Sequence, residues 1–248
     1  MNRNVLSNLC TPGLFGKKPI IGLTMFAIGS LIFIVLAFNL IKQGPLIKWD
    51  FSIAESLHAL ALKSPAFVIN IMIIGYYVGL QGIVLVAVLL ALYFLYKRFW
   101  CELVMVSISL GLSGPIFLIL SHIFKRPRPF LLFDKPLWAS SPNIPGFPSG
   151  HTLSIVVCYG LLIYLLVPKI KSYLGKTLVV AAALLVMIYV GFSRIYLGDH
   201  YLTDIIAGYA VGIAWFGLAC TSVELLFQKY YLRKEKNKSY EKQTNSHK

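Results

Sequence analysis

Three short polar clusters interrupt an otherwise apolar chain, and their residue types suit phosphate chemistry. They are Lys125-Arg126-Pro127-Arg128-Pro129, Pro148-Ser149-Gly150-His151, and Ser193-Arg194 followed by His200 and Asp204. Planar, permanently charged guanidinium groups match the geometry of phosphate oxygens. Histidine titrates near neutral pH and can act as a nucleophile or as an acid and base. Together the clusters predict a site that binds and attacks a phosphate group.

The second cluster has the composition of a helix start that binds an anion. Free backbone N–H groups and the positive end of the helix dipole attract negative charge there. Gly150 lets a phosphate approach the backbone, and Ser149 can cap the helix or donate to a phosphate oxygen. An ordinary capped helix fits these residues as well. His151 is the candidate general acid, because a departing alkoxide needs a proton.

His200 and Asp204 are spaced i, i+4, so on a helix they share a face. The carboxylate can then accept from one ring nitrogen and leave the other as a nucleophile, with Asp204 orienting the ring. A structural hydrogen bond is the alternative for such a pair taken alone. Arg194 and Arg128 are the candidates for holding phosphate oxygens.

The composition places these clusters in a membrane protein. The chain has 248 residues, 58% hydrophobic and 13% charged, with a mean hydropathy of +0.75. A helix needs about 20 apolar residues to cross the hydrocarbon core. Six blocks without Asp, Glu, Lys or Arg fit this requirement: 20–41, 66–96, 103–124, 152–168, 177–193 and 205–223. We therefore predict an all-α, polytopic membrane protein with six transmembrane helices.

Charge distribution predicts the orientation of these helices. With the N-terminus in the cytoplasm, 15 Lys and Arg lie inside and eight outside, which agrees with the positive-inside rule. Both termini are then cytoplasmic and all three clusters extracytoplasmic, in a plasma (inner) membrane. The net charge of +14 is interpreted as anchoring to anionic lipid, with no nucleic-acid partner.

The predicted organisation has a cytoplasmic tail (1–19), a six-helix membrane domain (20–228) and a basic cytoplasmic tail (229–248) that is expected to be disordered. Residues 49–62 are predicted to form an interfacial amphipathic helix. The second block is too long for one crossing, so an entry segment or a tilt is expected, and Gly75, Gly79 and Gly82 offer close helix contacts.

The four cysteines are interpreted as packing residues. Only nine residues are acidic, so no metal or cofactor is expected.

The three clusters resemble the motifs of the type 2 phosphatidic acid phosphatase superfamily, whose fold is a six-helix bundle. Pro148 to His151 match its second motif completely. Ser193, Arg194, His200 and Asp204 match the third, which reads Ser-Arg, five residues, His, three residues, Asp. In the first motif Arg128-Pro129 fits, but Ser121 stands where the family has a lysine. Lys125 and Arg126 are the neighbouring candidates to replace that charge.

The resemblance implies a phosphatase of this family. His200 would form a phosphohistidine, His151 would protonate the leaving group and Asp204 would orient His200. The residues implied to bind the phosphoryl oxygens are Lys125, Arg128, Ser149, Gly150, Ser193 and Arg194. The implied substrates are lipid phosphates: phosphatidic acid, phosphatidylglycerol phosphate, polyprenyl pyrophosphates or the phosphates of lipid A. A lipid phosphotransferase and a non-enzymatic lipid or anion transporter remain the alternatives.

Overall fold

The computed structural model describes residues 13–137 and 143–246. Over this part of the chain the structure is 84% helical and has no strands, which confirms the all-α prediction. Six helical segments are long and apolar enough to cross a membrane: Pro19–Ile41, Ala66–Lys97, Trp100–Leu132, Gly150–Lys169, Tyr173–Tyr196 and Leu202–Arg233. Each contains one of the six predicted blocks.

The helices follow one another with short connections. In chain order they are α1 Leu14–Lys17, α2 Pro19–Ile41, α3 Pro45–Leu62, α4 Ala66–Tyr77, α5 Ile83–Lys97, α6 Trp100–Gly111, α7 Ser113–Phe124, α8 Gly150–Leu166, α9 Tyr173–Tyr196 and α10 Leu202–Ser246. A π-helical segment, Val78–Gly82, joins α4 to α5, and 3-10 turns lie at Pro129–Leu132 and Val167–Lys169.

Helices α8 and α10 form the centre of the bundle. Their apolar windows are 44% and 56% buried, compared with 33% or less in the other spans. Gly212 permits the close approach, because a Cβ atom there would lie 2.8 Å from the Leu153 carbonyl oxygen on α8. Helix α10 also packs extensively on α2. The second motif therefore begins α8, and the third runs from the end of α9 into the start of α10.

The long second block crosses as one helical span and contains no separate entry segment. Its 32 residues include the π-helical turn, which brings small residues against the site helices. A Cβ atom on Gly79 would lie 3.0 Å from His151 Cδ2, and one on Gly75 would lie 2.7 Å from Ser193 Cβ. The predicted close contacts of these two glycines are thus confirmed. A π turn inside an α-helix is frequent at functional sites.

Two predictions for the remaining segments are wrong. The basic tail from residue 229 continues α10 as far as Ser246, because it contains no glycine or proline and is rich in helix-forming Lys, Glu and Gln. Cys101 is disulfide-bonded, whereas Cys158 and Cys220 are free and buried as expected. The predicted amphipathic segment forms α3. Residues 1–12 of the predicted N-terminal tail lie outside the described residues.

Candidate active site

Residues from all three polar clusters meet at one cavity of about 230 Å³. Arg128, Gly150, His151 and His200 line it, together with Tyr76 beside the π segment and Phe117 on α7. The helix starts of α8 and α10 and the end of α9 place these residues at one end of the bundle. The convergence expected from the motif spacing is therefore present.

His200 lies in the turn before α10, and its hydrogen bonds define its tautomer. Its side chain is 1% exposed, and Nδ1 lies 2.8 Å from the carbonyl oxygen of Gly146. A carbonyl can only accept, so Nδ1 carries the proton. Arg128 Nη1 lies 3.2 Å from Nε2 and can only donate. Nε2 is therefore unprotonated and accepts from Arg128, and His200 lines the cavity.

The environment also favours the neutral form of this ring. Burial lowers the pKa of His200 below its ordinary 6.5, and the positive charge of Arg128 lowers it further, against opposing effects of Asp204 and Asp199. A neutral imidazole is the nucleophilic form. His200 is thus neutral near neutral pH, which is the form that a nucleophilic role would require.

Asp204 is farther from His200 than the i, i+4 spacing suggested. Its Oδ2 lies 3.6 Å from Nδ1, so the direct acceptor is Gly146, which sequence reasoning missed. Asp204 instead accepts from the Tyr201 N–H at 2.9 Å and from Arg126 at 2.6 Å. Arg126 and the Tyr201 N–H thus hold the carboxylate, and at 3.6 Å the expected direct hydrogen bond to His200 is not formed. Its negative charge still lies beside the ring.

Arg126 belongs to a buried network behind the site. Arg126 is 5% exposed and pairs with Asp50 at 2.7 Å as well as with Asp204. Thr203 donates to Asp50 from its N–H at 3.0 Å and also bonds it through Oγ1. Asp50 comes from α3, far away in sequence, so no local pattern pointed to it.

Two arginines face a carboxylate that belongs to none of the predicted site residues. Arg128 Nη1 lies 2.8 Å from Asp199 Oδ1, and Arg194 Nη1 lies 3.5 Å from Asp199 Oδ2. Arg128 also donates from Nε to the Ile144 carbonyl at 2.8 Å, and the Arg194 guanidinium lies 4.9 Å from the Tyr76 ring centroid. In the sequence, the only indication that Asp199 belongs to the site was its position next to His200.

Three buried donors at this end of the bundle have no hydrogen-bond partner among the described residues. They are Ser149 Oγ, His151 Nε2 and Arg194 Nη2. A buried polar group without a partner is costly, so these groups are available to a polar ligand. Hydroxyl, imidazole and guanidinium groups all suit phosphate oxygens. The arrangement can therefore bind an anion.

The remaining predicted residues have supporting or separate positions. Ser193 Oγ donates to the Val190 carbonyl at 2.8 Å and accepts from Arg194 Nε at 3.2 Å, so it holds that arginine. Lys125 is exposed and lines another cavity, of about 450 Å³. The structure does not bring Lys125 to the cavity of His151 and His200.

At the position where the family has a lysine, this chain has a serine whose side chain is buried and already hydrogen-bonded. Ser121 is fully buried and donates to the Leu118 carbonyl at 3.0 Å. Arg126 is held by two carboxylates, and Lys125 lies at the second cavity. Neither neighbour supplies a charge to the catalytic cavity. Within the described part of the chain, no group of three or more His, Cys, Asp or Glu side chains could hold a metal ion.

Comparison with known proteins finds similar sequences among membrane-lipid phosphatases. Phosphatidylglycerophosphatase B from Bacillus subtilis is 31% identical over 128 residues, which cover 50% of this chain and 59% of that protein. An undecaprenyl-diphosphatase from Sulfolobus acidocaldarius is 31% identical over 124 residues, covering 48% of this chain and 55% of the relative. The chain thus spans less than two thirds of the length of either relative.

A solved structure extends the similarity to most of the bundle. The crystal structure of a transmembrane PAP2-type phosphatidylglycerolphosphate phosphatase from Bacillus subtilis matches with a TM-score of 0.65 and 27% identity, over 80% of this chain and 93% of that one. The sequence model of the PAP2 superfamily matches residues 102–227, about half of the chain, and this range includes all three motifs. The chain belongs to the PAP2 superfamily.

Proposed function

We propose that this protein removes phosphate from a membrane lipid, without a metal ion, through a phosphohistidine formed on His200. The observation that carries the proposal is the hydrogen-bonding state of His200: Nδ1–H donates to Gly146, so Nε2 is unprotonated, and His200 lines the cavity together with Arg128 and His151. Nucleophile and anion site coincide there, as covalent phosphoryl transfer requires.

In the first step Nε2 of His200 attacks phosphorus and the bond to the lipid oxygen breaks. His151, which takes up a proton when the anionic phosphate binds beside it, gives this proton to that oxygen, and the lipid alcohol, or lipid phosphate from a pyrophosphate, departs. Arg128, Arg194 and Ser149 stabilise charge on the phosphoryl oxygens. The ring becomes positive, and the Gly146 carbonyl and the nearby Asp204 carboxylate stabilise it.

In the second step water attacks the phosphohistidine. His151, now neutral, accepts a proton from that water, and the P–N bond breaks to restore neutral His200 and release inorganic phosphate. His151 ends protonated, as it began. The cycle needs no metal, because the guanidinium groups supply positive charge and the hydroxyl group donates a hydrogen bond to the phosphoryl oxygens.

The substrate is proposed to be a lipid phosphate or pyrophosphate. The relatives named phosphatidylglycerophosphatase and undecaprenyl-diphosphatase support this class, which includes phosphatidic acid, phosphatidylglycerol phosphate, polyprenyl pyrophosphates and lipid A. The excess of Lys and Arg supports cytoplasmic termini and an extracytoplasmic site in the plasma (inner) membrane. A C-terminal green fluorescent protein fusion that fails to fluoresce would contradict this orientation.

His200→Ala tests the nucleophile. We expect at least about a 10³-fold loss of phosphate release from a panel of lipid phosphates, measured with and without chelator. His122→Ala, which changes an exposed histidine on α7, is the matched control and should retain activity. With ³²P-labelled lipid, acid-labile and alkali-stable label should appear on the wild-type protein and on His122→Ala, and not on His200→Ala. Activity surviving in His200→Ala would overturn the assignment.

A further inference from the structure

Asp199 places a carboxylate among the groups assigned to the phosphate. It is fully buried, and its two oxygens lie 2.8 Å from Arg128 Nη1 and 3.5 Å from Arg194 Nη1. The second oxygen is also 3.9 Å from Nε2 of His200. Two carboxylate oxygens present guanidinium groups with the same planar, charged pattern as two oxygens of a phosphate.

The local fold does not require this carboxylate. The turn that leads from α9 to His200 is held by backbone bonds, from the Asp199 N–H to the Arg194 carbonyl at 2.9 Å and from the His200 N–H to the same oxygen at 3.2 Å. Gly198 provides the left-handed conformation that the turn needs, with φ of +74°. A neutral side chain at position 199 is compatible with every one of these bonds.

The carboxylate does change the charge that an incoming phosphate meets. Arg128 and Arg194 carry two positive charges, and Asp199 cancels one of them at short range. The buried donors Ser149 Oγ and Arg194 Nη2 have no partner among the described residues, so they are open to a ligand. A phosphate that also uses Arg128 Nη1 must compete with the bond that this nitrogen makes to Asp199.

We propose that Asp199 is an internal competitor for the phosphate site, an inference that rests on the proposed function of the two arginines. In the substrate-free enzyme its carboxylate occupies guanidinium N–H groups that the phosphoryl oxygens would use. It therefore weakens the binding of a phosphate dianion, and the effect extends to inorganic phosphate, the reaction product. Asp199 keeps the arginines aligned while preventing the product from remaining bound.

The test is the affinity of the purified full chain for inorganic phosphate, measured in detergent by equilibrium binding of ³²P-phosphate and, in parallel, as competitive inhibition of lipid phosphate hydrolysis. Asp199→Asn keeps the shape and removes the charge. We expect phosphate to bind at least about tenfold more tightly to this variant, because a negative charge within a few ångströms of the anion is gone. KM for the lipid should fall with it.

The sign of the change distinguishes competition from a structural role. If Asp199 only aligned the arginines, the substitution would weaken phosphate binding, and unchanged or weaker binding overturns the inference. Asp199→Ser gives the same comparison where the asparagine variant does not fold. Asp134→Asn removes an exposed carboxylate from the loop between α7 and α8 and should leave phosphate affinity unchanged.

The two hypotheses fail separately. A wild-type chain that hydrolyses lipid phosphates, together with variants whose phosphate affinity has not increased, would refute the competitor role and retain the phosphatase. A wild-type chain inactive on every lipid phosphate, with tighter phosphate binding in Asp199→Asn, would refute the phosphatase and retain the competing carboxylate.

Discussion

The apolar block 205–223 of the central helix α10 is flanked at its two ends by buried carboxylates, Asp204 and Glu224, which are satisfied differently. Glu224 lies 22 residues after Leu202, about 33 Å along the helix axis. It is 3% exposed and accepts from the Gly16 N–H and the Tyr164 hydroxyl, one donor for each oxygen. These bonds fasten α1 to α8 and α10. The result is a closed polar contact inside an apolar bundle.

The catalytic end contains more donors than its acceptors can satisfy. Ser149 Oγ, His151 Nε2 and Arg194 Nη2 are buried without partners among the described residues, beside or near a cavity. Asp50 and Asp204 are satisfied by Arg126, whereas His151 lines the cavity with Nε2 unpaired among the described residues. Burial of charge alone therefore does not mark a functional site in this bundle. A functional site is indicated instead by buried polar atoms that have no partner and lie close to a cavity that an anion can enter.

Among the tests of this comparison, the substitution His151→Ala is expected to have the largest effect. Loss of general acid catalysis should lower kcat/KM for a lipid phosphate by about 10²- to 10⁴-fold. An aryl phosphate such as p-nitrophenyl phosphate has a leaving group that needs no proton, so its hydrolysis should fall much less. Steady-state kinetics on both substrates provide the measurement. An equal loss on both would show that His151 is not the acid.

A pair of neutralising substitutions tests the two ends directly. Asp50→Asn weakens the network that holds Asp204 and Tyr201 beside His200, and it should lower kcat/KM by about 10- to 100-fold through misplacement of the nucleophile. Glu224→Gln keeps an acceptor for Tyr164 and should lower thermal stability in detergent while leaving kcat/KM at the wild-type level. Equal activity losses in the two variants would remove the distinction between the ends.

The smallest expected effect is on the pH profile. Because burial and Arg128 lower the pKa of His200, the ring stays neutral, and therefore nucleophilic, as the pH falls below 6.5. The acidic limb of kcat/KM attributable to the nucleophile should lie below pH 6.5. It is measured with wild-type protein from about pH 4.5 to about pH 8, around the ordinary histidine pKa, on a substrate whose own ionisation has been determined. A limb at or above 6.5 would contradict the buried, arginine-paired state of the ring.

Motif spacing was sufficient to place His151, His200, Arg128 and Gly150 at one cavity, and it failed for contacts made by residues outside the motifs. Asp50 comes from α3 and Gly146 from a proline-rich loop, and neither has a local signature. The i, i+4 spacing suggested a direct His200 to Asp204 bond because sequence cannot show that Arg126 holds the carboxylate. Part of that loop, residues 138–142, lies outside the described residues.

The sequence by itself determined the membrane class, the number of spans and the residue types of the site. Those properties depend on local hydropathy and on short spacings, which the chain carries wherever its segments pack. Only the tertiary structure decided which acceptor fixes His200, where Lys125 lies and which carboxylate faces the arginines. These depend on distances between segments far apart in sequence, and small residues such as Gly79 and Gly212 set them by allowing the helices to approach.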